Sequence, residues 1–138
     1  MKKDPNINID GTPSEYNIQC MVAEYIMRQY PNILWSASCG GMRTSMGTAK
    51  KMKRMGYIKG CPDIMIFETV FKDIENTSSD KIFVVQVHGL FIEMKAKGGT
   101  QKPEQKEWEK KATEQGYFYK LAYSFEEAKE IIDNYLKK

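Results

Sequence analysis

Apolar side chains recur at Ile18, Met21, Val22, Tyr25 and Ile26, the spacing of one helical face. Just ahead, Thr12 can cap, Pro13 suits a first turn and Glu15 stands at the capping-box position. This helix is expected to run to about Gln29, because Pro31 blocks continuation. Ile33 to Ala37 predicts a short strand, Gly40-Gly41 a loop, and Ser45 to Met55 a basic helix stopped by Gly56. Asp63 to Phe67 is a nearly continuous apolar run of strand length, the pattern of a strand buried on both faces. Residues 69–80 are polar and read as irregular. Lys81 to Val87 predicts a strand, and beyond Gly89 the run Leu90 to Lys95 is either its hairpin partner or the continuation of one bent strand. A loop at Gly98-Gly99, a helix from Pro103 to near Gly116, and an aromatic strand from Tyr117 to Tyr123 follow. A last helix opens on the capping box of Ser124 and Glu127, with Ala128, Ile131, Ile132, Tyr135 and Leu136 as its apolar stripe. Helix, strand, helix, strand, strand, helix, strand, helix is the order of an α/β fold, a small mixed sheet flanked by helices.

Composition narrows the class. The 138 residues suit one domain over 1–138, with residues 1–11 expected to be a flexible N-terminal segment. With 41% hydrophobic and 28% charged residues the chain has enough apolar material for a folded core. No run approaches the ~18 apolar residues of a membrane span, and MKKDPNINID lacks the apolar centre of a signal peptide, so a cytoplasmic protein without a membrane partner is expected. Three cysteines without CxxC spacing and a single histidine, His88, argue against a disulfide framework or a Cys/His zinc site. The net charge of +3 is modest, but its distribution is uneven. Between Glu24 and Asp63 there is no acid, while Arg28, Arg43, Lys50, Lys51, Lys53, Arg54 and Lys59 supply seven cations. Such a stretch either meets a polyanion, nucleic acid being the obvious one, or forms a solvated basic helix face.

Two carboxylates on apolar strands carry the candidate chemistry. Asp63 begins one strand and Glu93 lies within another. A buried ionised carboxylate costs several kcal/mol unless a cation meets it. Glu93 and Lys95 are two residues apart and project on the same side, while Met94 points the other way into the core. Asp63, Glu93 and the main-chain carbonyl of Met94 are the hard oxygen donors that magnesium favours, and Lys95 beside them would neutralise charge developing on a phosphate. Phosphodiester hydrolysis uses those parts. A plain Glu93–Lys95 ion pair at a sheet edge is the competing reading, since ExK alone is a weak motif.

The wider pattern is Gly60-Cys61-Pro62-Asp63 leading into an apolar strand, then Phe91-Ile92-Glu93-Met94-Lys95, then Gly98-Gly99 and Gln105 opening a helix. From Glu15 to about Tyr135 it resembles the VRR-NUC (virus-type replication-repair nuclease) family of the PD-(D/E)xK nuclease superfamily. The resemblance implies a restriction-endonuclease-like fold and a structure-selective DNA endonuclease using Mg2+ or Mn2+. It implies metal binding by Asp63, Glu93, Glu15 and the Met94 carbonyl, with Lys95 as catalytic lysine and Gln105 as the glutamine of the following helix. Stand-alone relatives are phage or bacterial proteins, some of which resolve four-way (Holliday) junctions as homodimers. DNA, branched or at a junction, would be the partner, with Arg43, Lys50, Lys51, Lys53, Arg54, Lys59 and Lys97 on its backbone. A flap or replication-repair nuclease within a larger assembly, and a non-catalytic DNA-binding module, are the alternatives.

Glu15 and Gln105 also have local readings, as a capping-box acid and a helix-end glutamine. The interval from Asp63 to Glu93 is longer than a hairpin needs and reads as an insertion. Lys102 stands before Pro103 where a capping serine is usual. His88, beside Gly89, reads as a solvated loop residue rather than a general base, Trp108 as the packing face of its helix, and Met42, Met46, Met52 and Met55 mainly as core material. Gly40-Gly41 with Arg43 is a phosphate cradle or a plain turn.

Overall fold

The computed structural model describes residues 7–8, 10–38, 45–76 and 78–137. Helix α1 (Glu15–Gln29) leads to strand β1 (Trp35–Ala37), helix α2 (Met46–Arg54) and strand β2 (Ile64–Ile66). Then come β3 (Val70–Asn76), β4 (Lys81–Val87), β5 (Leu90–Met94), α3 (Pro103–Glu114), β6 (Phe118–Ala122) and α4 (Phe125–Leu136). The expected loop at Gly40-Gly41, with Met42 and Arg43, lies outside the described residues.

The main sheet has the order β1-β2-β5-β6, antiparallel except for the parallel β5–β6 pair, so it is the mixed sheet that the element order predicts. Central β5 is buried along its whole length. Alternation divides its side chains between two faces. Leu90, Ile92 and Met94 join Ile64, Ile66, Ile18, Val22, Ile26, Ala128 and Ile132 in one core beneath α1 and α4. Phe91, Glu93 and Lys95 occupy the opposite face, toward α3.

Four local expectations are revised. Residues 70–76 are not irregular: they pair in full antiparallel register with β4, from Val70 opposite Val87 to Asn76 opposite Lys81. Phe71 and Ile74 are three residues apart and so fall on opposite faces, and with Lys72, Asp73 and Glu75 among them the segment shows none of the alternation that marks a half-buried strand. Consequently β4 is neither the hairpin partner of β5 nor in its sheet, and the chain passes between them through His88 and Gly89. At α1 the cap is Ser14, whose Oγ accepts from the Asn17 amide at 3.1 Å, so Glu15 is the first helical residue rather than a capping-box acid. Met46 and Met55 are 81% and 86% exposed, so they are not core material, and α2 has no buried residue. Gly56 ends α2 at φ +103° and Ser124 holds the Glu127 amide, both as expected, while Ser45, expected as the start of α2, is its cap and holds the Thr48 amide. No described helix is long and apolar enough to cross a membrane.

Gly60 fastens the segment before β2 to the start of α3. Its φ is +93°, and a Cβ there would lie 2.5 Å from the Glu104 carbonyl oxygen. Gly60→Ala is expected to destabilise the fold by about 1–3 kcal/mol, read as a lower midpoint in chemical denaturation.

Candidate active site

Four chain segments meet at the C-terminal end of β5: the start of β2, the end of β5, the first turn of α3 and the first turn of α1. Antiparallel pairing of Ile64 with Ile92 sets Asp63 next to Glu93 across the strands. Asp63 Oδ2 accepts from the Met94 amide at 2.7 Å, which fixes its carboxylate on β5. Glu93 and Lys95 are both 4% exposed, and Lys95 Nζ lies 3.4 Å from Glu93 Oε1. The pair sits on an interior strand, so a sheet-edge ion pair is not what the structure contains.

Gln105 ties the two charges together. Its Nε2 donates to Glu93 Oε1 at 2.6 Å, and its Oε1 accepts from Lys95 Nζ at 2.8 Å and from the Lys102 amide at 2.8 Å. The two sequence readings of this residue therefore coexist. Its carbonyl oxygen satisfies the helix end that Lys102 cannot cap with its own side chain, and the same oxygen positions the lysine.

The site remains electrostatically incomplete. Among the described residues, Glu93 Oε2 is buried without a hydrogen-bond partner. Burial first, and then the nearby Asp63 charge, pushes the Glu93 carboxyl up to about 8 despite Lys95. Asp63 is also raised, by burial and then by the Glu15 charge, against the lowering effect of the Met94 amide. Two acids held this way favour a shared proton or a cation.

The remaining expected residues are less closely gathered. Glu15 Oε1 accepts from the Ala96 amide at 3.3 Å, just beyond Lys95, and does not join Asp63 and Glu93 as a third donor. No three His, Cys, Asp or Glu side chains converge in a metal-holding group among the described residues. Its helix points it at the strand end, where it contributes charge from a distance. Lys50, Lys51, Lys53 and Arg54 lie exposed on α2, whereas Lys59 pairs with Glu104 at 3.0 Å and is not a free cation. Lys97 is exposed in the turn after β5, and Arg43 lies outside the described residues. His88 is exposed, as read.

Two features of this face were not anticipated. Trp108 is not packed into the core: with Phe91, Tyr117 and Ile58 it lines an open apolar groove of about 730 Å3 beside α3, where Tyr117 stacks on Phe91 at 4.7 Å between centroids. Tyr119, opposite Phe91 in the parallel register, has a buried hydroxyl without a hydrogen-bond partner, its pKa raised by burial and by the charge of Glu93. Strand alternation requires at least one of Tyr117, Phe118 and Tyr119 to face inward, and the register to β5 shows which side chains share the face of Glu93.

A solved structure described as a "VRR_NUC domain protein" is similar to this chain with a TM-score of 0.66 at 24% identity, covering 91% of this chain and 90% of that one. The likeness shows a common fold, the one that the motif pattern implied. No family model matches the sequence, and no curated protein matches it.

The raised carboxyl gives a pH prediction. Folded Glu93 keeps its proton up to about pH 8, whereas in the unfolded chain it releases it near the ordinary 4.5. The folded state binds more protons in that window, so this group's contribution to stability is lost as pH rises through it. In chelator, urea denaturation is expected to show falling stability between those limits, and Glu93→Gln to flatten the slope.

Proposed function

We propose that this chain is a divalent-metal-dependent endonuclease that hydrolyses phosphodiester bonds in DNA and selects branched structures, four-way junctions among them. The observation that carries this reading is the buried Asp63–Glu93 pair, with one carboxylate oxygen unpartnered, beside the buried Lys95 ammonium. The fold shared with a VRR_NUC domain protein supports it.

The donors fit a hard cation. Glu93 Oε2 has no hydrogen-bond partner among the described residues, Asp63 lies across the strand pair, and burial raises both carboxyls, Glu93 further through the Asp63 charge and Asp63 through that of Glu15. Asp63, Glu93 and the main-chain carbonyl of Met94 would hold Mg2+ or Mn2+, with Glu15 adding negative charge nearby. Such an ion, when bound, acidifies water and polarises a phosphate. Lys95 presents an ammonium group where the scissile phosphate gains charge in the transition state. Gln105 keeps Lys95 from collapsing fully onto Glu93, because its carbonyl takes one of the three ammonium hydrogens. The exposed cations of α2 read the DNA backbone rather than base sequence. Selection then rests on DNA shape, and a two-fold junction suits a homodimer that cuts two related strands.

Glu93→Ala and Lys95→Ala are each expected to lower cleavage of four-way-junction DNA by about 100-fold or more while changing binding little. The assay compares single-stranded, duplex, flap and junction DNA in Mg2+ or Mn2+, with and without chelator. Unchanged cutting by either variant refutes the assignment. Preference for flaps would make this a replication-repair nuclease suited to a larger assembly, and cutting of no substrate leaves a DNA-binding module. Lys51→Glu with Lys53→Glu is expected to weaken binding to all DNA sequences alike and to flatten its salt dependence, measured by fluorescence anisotropy.

A further inference from the structure

The β3–β4 ribbon stands apart from the main sheet, and both of its strands have an unpaired edge among the described residues. It is unusually apolar for an exposed element: Phe71 is 69% exposed, Ile82 63% and Val84 66%, with Ile74, Phe83 and Val85 also open. Isolated two-stranded ribbons are at best marginally stable in water, and apolar free edges invite another strand. The base of the ribbon is fastened through β3, where Lys72 Nζ donates to the Asn134 carbonyl at 2.6 Å and lies over the Tyr135 ring.

Charge distinguishes the two edges. If β3 met a second β3 antiparallel about Lys72 or Asp73, the central residue would face its own like charge; about Ile74, Asp73 would face Glu75. β4 reads Lys-Ile-Phe-Val-Val-Gln-Val and holds one charge, at its first residue. About Val84, a second β4 would set Val84 against Val84, Phe83 against Val85 and Ile82 against Gln86, with Lys81 opposite Val87. Aromatic and β-branched pairs of this kind favour sheet formation, and no like charges meet. The edge is thus self-complementary, as a two-fold interface requires.

We propose that β4 is the self-association edge of this protein: β4 of one copy pairs antiparallel with β4 of a second copy about a two-fold axis at Val84, joining two ribbons into one four-stranded sheet. This supplies a surface for the homodimer of the proposed function, yet it rests on the exposed ribbon and not on the nuclease chemistry. The occupant is a second copy because the neutral edge complements itself along its whole length, while the charged edge sets like charges together in its central registers, about Lys72, Asp73 and Ile74.

Sedimentation equilibrium of the full chain, without DNA or divalent metal, is expected to give twice the 16.0 kDa of one chain. Val84→Lys alone and Val84→Glu alone each place like charges on the axis and should weaken the dimer by about tenfold or more. An equimolar mixture of the two should regain the doubled mass. In the unaltered protein, amides within Ile82–Gln86 should gain hydrogen-exchange protection as concentration rises, a readout that needs no variant to fold. The proposal is overturned by a single-chain mass for the parent, by open-ended aggregates, by undiminished association of either single variant, or by a mixture of folded variants that stays monomeric. Because mass is read without substrate, failure here leaves the hydrolase reading standing, and failure of cleavage leaves the dimer standing.

Discussion

A carboxyl and an ammonium group, Glu93 on the central strand and Lys95 just past its end, are buried together, and one glutamine side chain bridges them. Burial of either charge alone would be strongly unfavourable, and the pair is still left with one oxygen uncompensated. The surrounding architecture follows from this constraint. Helix α3 must begin where Gln105 can reach both groups, so the chain between β5 and α3 is short and turns through glycines. Gly60 allows the strand that brings Asp63 to start against that same helix end. The polar cluster is thus built on rigid elements, with the apolar core of Ile92, Met94 and their neighbours on the opposite side of the same strand.

The two halves of the sheet serve different ends for one reason, the alternation of side chains on β5. Even-numbered residues from Leu90 to Met94 build the core with α1 and α4, and the odd-numbered ones face α3. A shift of register by one residue would exchange a buried isoleucine for a glutamate and disrupt both faces, so core packing itself holds the two acids in place. That coupling explains how acids disfavoured by their surroundings stay ordered.

Two elements extend from this body with little packing of their own, the basic helix α2 and the β3–β4 ribbon. Their surfaces are opposite in character. Helix α2 offers exposed cations to a polyanion, and the ribbon offers an apolar edge. On the proposed reading both belong to contacts outside the chain, which accounts for side chains that a self-contained fold would bury or neutralise.

Much of this was legible in local pattern. Helical spacing, caps and glycine stops located the four helices of the described residues, and the apolar runs at Asp63 and Glu93 were evident because burial on both faces leaves a continuous apolar run. Residues 70–76 were not legible as a strand, since an exposed ribbon needs no clean alternation and its charged residues mimic a loop. Nor could sequence spacing distinguish Glu15 as a cap from Glu15 as a reach toward β5: that depends on which of Thr12 and Ser14 adopts the capping position, and on where the strand ends. Likewise Lys59 counted among free cations until the fold brought Glu104, 45 residues later in the chain, against it. The amino-acid order alone determined the helices, the buried strands and the chemical kinds of the site residues, because these arise from contacts between near neighbours. Which acids are raised by burial, which cation is neutralised and which oxygen is left bare were decided by the tertiary structure, since electrostatic energy depends on distance through space and on exclusion of water, neither of which is written in separation along the chain.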